Sequence, residues 1–200
     1  EEGSNRPVTS GFRWVIDPID GTVNYLYGLP GWSVCVGLEY EGEPIVGVVS
    51  APTYGVTYYA ARGLGAFRET SGASEPISPS HVADLPMALT ATGFGYASTQ
   101  RAFQAEILRT LLPEIRDIRR AGSAAVDICW VADGKVDAVY EKGLNPWDYL
   151  AASVIAREAG AVVAGLDGRG PNADLTIAAN PVLFAKFHDR LKQLGAGKPV

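Results

Sequence analysis

Two aspartates three positions apart, Asp17 and Asp20, flank a proline and are followed by Gly21 and Thr22. The apolar residues before them predict a short buried strand that ends at Pro18. Two carboxylates at a strand end, beside a helix start whose free N–H groups attract anions, suit a divalent cation and a phosphate together. Aspartate, proline and glycine are also turn formers, and Asp20 could simply cap a helix. The hexapeptide alone therefore leaves a plain turn and a metal site equally open.

Further polar residues stand at the ends of predicted elements. Asp148 lies in the first turn of a helix opened by Pro146, Glu141 ends an apolar strand, and Ser123 with Ala124 opens the preceding helix. Proteins of the α/β class place ligands at such element ends. The helix dipole also favours an acidic residue in a first turn, so a capping role for Asp148 stays open.

Other catalytic arrangements have less support. Aspartyl-phosphate phosphatases space their two aspartates two positions apart, whereas Asp17 and Asp20 are separated by three positions with a proline between them. His81 and His188 stand alone, which argues against phosphohistidine or histidine–metal chemistry. The glycines of the segment 61–67, ARGLGAF, predict a hairpin turn rather than a phosphate cradle.

The first half of the chain predicts mainly strands. The segments 32–42 and 43–52 read as strands joined by a hairpin at Glu41 and Gly42. Residues 71–86 are rich in proline and serine and predict a connection rather than a core element. We expect a boundary there, between a metal- and phosphate-binding subdomain at 1–85 and an α/β subdomain at 86–200, with the active site between them.

The second half alternates strands with well-delimited helices. One helix follows Ser98 or Thr99 as cap, and another begins after Ser123 and ends before Gly134. A third begins at Pro146 and stops at Gly160, and a capped helix closes the chain. Strands followed by alternating strands and helices predict a layered α/β or α+β protein.

Bulk composition excludes several classes of protein. The 200 residues carry a net charge of −5, so nucleic-acid phosphates would be repelled and a nucleic-acid partner is not expected. No stretch of the sequence is apolar enough to span a bilayer, and no signal-peptide pattern is found. Cys35 and Cys129 sit in apolar runs, which predicts buried thiols in a reducing compartment. We expect a cytoplasmic protein without membrane contact.

The motifs WVIDPIDGTVNY (14–25) and WDYLAASVIAREAGA (147–161), in this order, resemble the two signatures of the inositol monophosphatase family. The resemblance extends over essentially the whole chain and is strongest with the bacterial and actinobacterial inositol-1-monophosphatases. It implies an αβαβα sugar-phosphatase sandwich and a homodimer. Family members extend further at the N-terminus, so the resemblance also implies a fold that is incomplete there.

The resemblance implies a site for two to three Mg²⁺ ions. The opening Glu-Glu pair matches a family position, with Glu1 preferred over Glu2 as ligand. The implied metal ligands are Glu1, Asp17, the carbonyl of Ile19, Asp20 and Asp148. Glu1, Asp17 and Thr22 would take part in catalysis, with Glu1 and Thr22 helping to deprotonate a metal-activated water. The implied substrate contacts are Asp20, Gly21, Thr22, Arg119, Ser123, Ala124, Glu141 and Asp148.

The implied activity is lithium-sensitive, Mg²⁺-dependent hydrolysis of inositol 1-phosphate to myo-inositol and phosphate. The same chemistry on another small phosphate is an alternative: histidinol phosphate, fructose 1,6-bisphosphate or 3′-phosphoadenosine 5′-phosphate. A non-enzymatic RNA or transcription accessory role is the second class, for which the basic segment 116–120, RDIRR, is the one sequence feature. The intact motif carboxylates favour the enzyme.

Overall fold

The structure, a computed structural model, describes residues 10–199. Within this range the first six strands form one sheet in sequence order, each antiparallel to the next. Glu41 and Gly42 both have positive φ, as the expected tight hairpin turn requires. The strands are β1 (Phe12–Asp20), β2 (Ser33–Tyr40), β3 (Glu43–Ala51), β4 (Val56–Ala61), β5 (Ala66–Thr70) and β6 (Ala73–Pro76).

The second sheet contains the remaining described strands in the order β10-β11-β9-β7-β8. Its central strand β9 pairs parallel with β7 and antiparallel with β11, and β8 adds parallel to β7. The strands are β7 (Leu89–Thr92), β8 (Asp117–Arg119), β9 (Ala138–Glu141), β10 (Val162–Ala164) and β11 (Thr176–Ala179).

Helices fill the space between the sheets and cover the far face of the second one. Two of them, α3 and α4, pack against each other and against strands of both sheets. The far face of the second sheet is covered by α2 and α5. The described residues thus form a layered α+β protein, as predicted. The helices are α1 (Thr22–Leu26), α2 (Ser98–Leu111), α3 (Ala124–Ala132), α4 (Pro146–Glu158) and α5 (Pro181–Leu194).

Helix α4 lies directly on the first sheet because small residues meet there. A Cβ on Gly47 of β3 would lie 2.1 Å from the carbonyl oxygen of Ala151, so a larger residue would push the helix away. Leu150 and Ile155 of the same helix are buried in the core. This close contact fixes the N-terminus of α4, and with it Asp148, relative to β1. Across residues 10–199, no helix has the length and apolar character to cross a bilayer.

Several sequence predictions about the elements are confirmed. Ser123 is the N-cap of α3 and its hydroxyl accepts from the N–H of Val126. Pro146 opens α4. Cys35 and Cys129 are both buried free thiols.

Other predictions about the elements are wrong. β1 does not end at Pro18 but continues to Asp20 through an irregularity in its pairing with β2. It is not a buried strand either, because Trp14 and Ile16 are exposed on its outer face. The N-cap position of α2 is Ala97 and no side chain caps it, so neither Ser98 nor Thr99 has the predicted role. The connection at 71–86 includes the exposed edge strand β6, which pairs with β5 despite its polar sequence.

The outer face of the first sheet is apolar along its β1 edge. Phe12, Trp14 and Ile16 are 47%, 62% and 53% exposed, respectively. Their partners across the sheet, Tyr40 and Leu38 among them, extend the same apolar face onto β2. Among the described residues this is the largest run of exposed aromatic and aliphatic side chains on a strand.

Candidate metal centre

Three carboxylates converge where β1 ends and α4 begins. Asp17, Asp20 and Asp148 each offer one oxygen, and these oxygens lie within 4.8 Å of one another. Both β1 aspartates are buried, at 6% and 8% exposure. The cluster joins the first half of the chain to the second, because two ligands come from the first sheet and the third from the helix packed against it.

The bulge in β1 explains how two aspartates three positions apart share one side. In a regular strand such residues point to opposite faces of the sheet. The register of β1 against β2 shifts between Asp17 and Asp20, and an extra residue in one strand re-aims the side chains that follow it. The N–H of Ile19 also donates to the Asp17 carboxylate, at 3.0 Å. The sequence feature Asp-Pro-Ile-Asp is therefore a bulged strand end.

Asp20 is held by the start of α3. Its Oδ2 atom accepts from the Ser123 hydroxyl at 2.6 Å and from the N–H of Ala125 at 2.8 Å. The same hydroxyl lies 3.0 Å from the Ser33 hydroxyl. Ser123 is fully buried by these contacts. The resemblance implied a substrate contact for Ser123. In the structure the Ser123 hydroxyl caps α3 and donates to the Asp20 carboxylate, and Ser123 does not line the cavity beside the carboxylates.

Asp148 occupies the third position of α4 and one of its oxygens caps the helix. The N–H of Asn145 donates to Asp148 Oδ2 at 2.7 Å. The capping role that the sequence left open is therefore present, and so is the convergence with Asp17 and Asp20. The two roles are compatible because a carboxylate has two oxygens, each with lone pairs for a separate partner.

The electrostatics of the cluster disfavour three negative charges without a cation. Burial raises the pKa of Asp20 to about 6, against the hydrogen bonds from Ser123 and Ala125, and the Asp17 carboxylate raises it further. Burial raises the pKa of Asp148 to about 7, and repulsion from Asp20 and Asp17 adds to this. A positive ion among these oxygens would reverse both effects.

A polar cavity of about 310 Å³ opens beside the three carboxylates. Glu141, at the end of β9, lines it, and burial raises the pKa of this carboxyl to about 8, with Asp20 contributing. Arg120 faces the same cavity and lowers the pKa of Glu141. Among residues 10–199, no hydrogen bond to the Glu141 carboxylate is found. Other lining residues are Ile19, Gly21, Thr22, Tyr96, Gln100, Ala124 and Trp147.

Gly21 and Asn24 shape the wall of the cavity around α1. Gly21 has a φ of 94°, and a Cβ there would lie 2.8 Å from the Gly31 carbonyl oxygen and 2.9 Å from that of Gly122. The Asn24 amide nitrogen lies 2.8–3.0 Å from the carbonyl oxygens of Pro30, Gly31 and Ala121, to which it donates. Asn24 thereby ties α1 to the segment that leads into α3.

The structure separates the two arginines of the segment before α3. Arg119 does not face the carboxylate cavity: its guanidinium donates to Asp117 and it lines a different cavity. Arg120 faces the carboxylates instead. Arg120, rather than the expected Arg119, therefore lines the carboxylate cavity, because consecutive side chains at the end of a strand point to opposite sides.

The remaining expected residues divide into two groups. Gly21, Thr22, Ala124 and Glu141 all line the cavity, and the Thr22 hydroxyl lies 3.2 Å from the Tyr96 hydroxyl. Glu1 lies outside the residues that the structure describes. Sequence reasoning missed Tyr96 and Asp127, an acidic residue on α3 that is 1% exposed. An aspartate within the otherwise apolar helix AAVDICWVA is the signal that could have identified Asp127.

Comparisons with known proteins agree with this geometry. Residues 1–196 match the sequence profile of the inositol monophosphatase family. The chain belongs to this family. It is 45% identical over 189 residues to an inositol-1-monophosphatase of Mycobacterium leprae, which covers 94% of this chain and 65% of the relative.

The chain is also similar to a solved structure and to a relative that is named as a Nus factor. The structure of Mycobacterium tuberculosis SuhB has a TM-score of 0.86 and 40% identity, covering 94% of this chain and 74% of that chain. A Nus factor SuhB of Escherichia coli is 37% identical over 199 residues, 96% of this chain and 73% of the relative. The chain thus spans less than two thirds of the length of the Mycobacterium leprae relative.

Proposed function

We propose that the protein is a Mg²⁺-dependent phosphomonoesterase whose substrate is inositol 1-phosphate. The observation that carries the proposal is the convergence of Asp17, Asp20 and Asp148 beside a polar cavity that also contains an arginine. Membership in the inositol monophosphatase family, and the similarity to an inositol-1-monophosphatase of Mycobacterium leprae, support the same activity. The two halves of the chain, divided near residue 85, would each supply part of the site.

The donor set fits a hard divalent cation. All three converging groups are carboxylates, and oxygen ligands are those that Mg²⁺ and Mn²⁺ prefer over thiolates or imidazoles. We assign the Ile19 carbonyl and Glu1 as further ligands, for two to three ions in total. Bound there, Mg²⁺ supplies charge neutralisation at the phosphate and lowers the pKa of a coordinated water.

The phosphate would bind between α1 and Arg120. Gly21 and Thr22 line the cavity at the start of α1, where backbone N–H groups have no acceptor within the helix. The Arg120 guanidinium adds a positive charge on the other side. Tyr96 lies within hydrogen-bond distance of the Thr22 hydroxyl and fixes its position. We assign Glu1 to take the proton of the attacking water, with the Thr22 hydroxyl relaying it by passing its own proton to Glu1 as it accepts one from the water.

Glu141 gives the site its preference for a polyol. With a cation bound at the neighbouring aspartates its carboxyl would ionise, because a nearby positive charge lowers its pKa. It would then be an acceptor inside the cavity with no hydrogen bond from another of residues 10–199, and hydroxyl groups of a substrate could donate to it. Ala124 lines the same cavity and leaves room for a ring. A partly buried acceptor that only a hydroxylated substrate satisfies gives discrimination, since an analogue without that hydroxyl leaves it unpaired.

A substrate panel with Mg²⁺ tests the proposal. Inositol 1-phosphate should be hydrolysed with a higher kcat/KM than histidinol phosphate, fructose 1,6-bisphosphate or 3′-phosphoadenosine 5′-phosphate. Glu141→Gln should lower kcat/KM for inositol 1-phosphate about tenfold, whereas Glu106→Gln, on the exposed face of α2, should change nothing. Faster hydrolysis of histidinol phosphate, or equal effects of the two variants, would refute the assignment of the substrate.

We further propose that the protein is cytoplasmic, inhibited by lithium, and a homodimer. Support for the dimer comes from exposed apolar residues on α1 and the following loop: Val23, Tyr25, Leu26, Tyr27 and Leu29. Leu26→Ser, at a side chain 80% exposed, should shift the mass measured by light scattering toward the monomer. An unchanged mass would remove this patch from the interface.

The segment 116–120 gives little support to a nucleic-acid role. Arg119 pairs with Asp117, and Arg120 faces the acidic cavity. One of its three cations is thus paired with a neighbouring carboxylate, and another is directed into the carboxylate cavity.

A further inference from the structure

A second cavity, larger than the carboxylate cavity, lies between the edges of the two sheets. Its volume is about 800 Å³, within the range of roughly 300–1,000 Å³ typical of small-molecule sites. We call it the edge cavity, because β5 and β6 of the first sheet and β7 and β8 of the second form its sides. It shares no lining residue with the carboxylate cavity. Its lining residues are Tyr54, Val56, Arg68, Thr70, Ala73, Glu75, Leu89, Arg119, Trp130, Lys135 and Val136.

The floor of the edge cavity is aromatic and apolar. Trp130 of α3 and Tyr54 lie against each other with ring centroids 5.5 Å apart, and Val56, Leu89 and Val136 continue this surface. The Trp130 side chain is only partly buried, and its indole N–H has no hydrogen-bond partner among residues 10–199. Partly buried tryptophans usually place this N–H on an acceptor. An aromatic face with an unused donor suits a flat ligand that carries an acceptor.

Three cations stand at the rim of the edge cavity. Arg68, Arg119 and Lys135 line it together with Glu75, and Asp117 and Asp133 pair with them from beside the cavity. Arg68 donates to Glu75 and to the buried Asp133, so most of its capacity is used.

Two cations at this rim keep free donors. Arg119 uses one guanidinium nitrogen, on Asp117 and on the Ile118 carbonyl. Its other two nitrogens have no hydrogen-bond partner in the described range. Lys135 donates to Tyr58 and Asp133 and keeps a third donor. The unused donors of these two side chains suit a carboxylate.

We propose that the edge cavity is a second binding site, for a small aromatic carboxylate. The rings of the ligand would lie on Trp130 and the neighbouring aliphatic side chains, and its carboxylate would accept from Arg119 and Lys135. One segment of chain then serves two sites. Arg119 and Trp130 belong to the edge cavity, whereas Arg120, between them in sequence, belongs to the carboxylate cavity. This site is independent of the proposed phosphatase activity.

The test uses 2-naphthoate as probe and isothermal titration calorimetry of the protein with Mg²⁺. One naphthoate should bind per chain, and its neutral analogue 2-naphthamide should bind about tenfold more weakly, since it lacks the charge-assisted hydrogen bonds. Arg119→Gln should weaken naphthoate binding about tenfold and leave naphthamide binding within twofold. The matched control is Arg109→Gln, at an exposed arginine of α2, which should change neither.

Two further variants distinguish the edge cavity from other surfaces. Ala73→Phe, on the exposed edge strand β6, places a ring in the cavity and should abolish naphthoate binding. Trp14→Ser removes the most exposed aromatic side chain of the outer sheet face and should leave the affinity unchanged.

Four outcomes would overturn the proposal. These are equal effects of Arg119→Gln and Arg109→Gln, undiminished binding to Ala73→Phe, loss of binding in Trp14→Ser, or competition by inositol 1-phosphate. Competition by inositol 1-phosphate would show that naphthoate binds in the carboxylate cavity, whether or not the protein hydrolyses inositol 1-phosphate.

Discussion

Replacing Asp148 with asparagine should stabilise the protein when no divalent cation is present. Burial raises the pKa of this carboxyl from 3.8 to about 7, repulsion from Asp20 and Asp17 adds to this, and the N–H of Asn145 opposes it. A carboxyl whose pKa is raised by folding destabilises the folded state once it ionises. The cost is absent below about pH 4, grows as the pH rises, and is complete above about pH 7.

The size of the effect follows from these values. A rise from 3.8 to about 7 corresponds to about 4 kcal/mol against the ionised form. Part of that repulsion is shared with the other two carboxylates, and the asparagine also loses an interaction with the dipole of α4 of up to about 1 kcal/mol. We therefore expect a net gain of about 2 kcal/mol for Asp148→Asn at pH 8. The amide oxygen can keep the 2.7 Å hydrogen bond from Asn145.

Thermal denaturation at pH 8 and pH 5, in EDTA and in Mg²⁺, measures this effect. In EDTA at pH 8 the melting temperature of Asp148→Asn should rise by about 6 °C, at roughly 2–4 °C per kcal/mol for a chain of this size. At pH 5 the difference should fall to less than half, because the folded carboxyl is then protonated while the unfolded one, with a pKa of 3.8, still ionises. Mg²⁺ should raise the melting temperature of the parent and much less that of the variant.

Glu69→Gln is the matched control, because Glu69 is exposed on β5 and its side chain has no hydrogen bond or ion pair with another of residues 10–199. It should leave the melting temperature unchanged in all four conditions. A lower melting temperature for Asp148→Asn in EDTA at pH 8, or the same difference at pH 5, would refute the account of a repulsive carboxylate cluster.

Three other predictions concern the N-cap of α3, the close packing at Gly21 and the removal of Mg²⁺. Ser123→Ala removes the N-cap of α3 and the hydrogen bond to Asp20, so urea denaturation should show a loss of about 2–3 kcal/mol. Ser98→Ala, at a helix start without a side-chain cap, should cost less than about 0.5 kcal/mol. In Gly21→Ala the new Cβ would lie 2.8 and 2.9 Å from two backbone oxygens, whereas in Gly28→Ala it would have no neighbour within 4 Å. Gly21→Ala should abolish phosphatase activity, and Gly28→Ala should keep the activity and cost about 1 kcal/mol of stability. Equal activities of the two variants would contradict the predicted clash at Gly21. Removal of Mg²⁺ by EDTA should lower the melting temperature more at pH 8 than at pH 5, and the reverse order would contradict binding to ionised carboxylates.

The sequence predicts best those elements whose ends are marked by local chemistry. Ser123 at an N-cap, Pro146 at a first helical position and the turn at Glu41 are visible because each interaction involves residues close in sequence. The layered architecture follows from the order of such elements together with the family resemblance. The start of α2 was not predictable in this way, because Ala97 occupies its N-cap position.

The candidate site depends more on tertiary contacts. Asp17 and Asp20 share one side only because β1 is bulged, and the bulge depends on pairing with β2. Whether Arg119 or Arg120 faces the carboxylates is decided by how the chain leaves β8, whose last residue is Arg119. The three carbonyl acceptors of Asn24 include Ala121, which is distant in sequence. Neither periodicity nor composition contains these contacts.

The apolar outer face along β1 affects how the stability of this chain should be measured. Covering a fully exposed large apolar side chain is worth about 1.5–3 kcal/mol. Since Phe12, Trp14 and Ile16 are each about half exposed, covering all three is worth about 2–5 kcal/mol, a sizeable fraction of the net stability of a typical domain. Detergent monomers, a neighbouring copy at high concentration, or any flanking polypeptide would each contribute free energy on that scale. The measured free energy of unfolding therefore includes the free energy of binding of any molecule that covers this face. Comparisons between samples require equal protein concentration and the same additives.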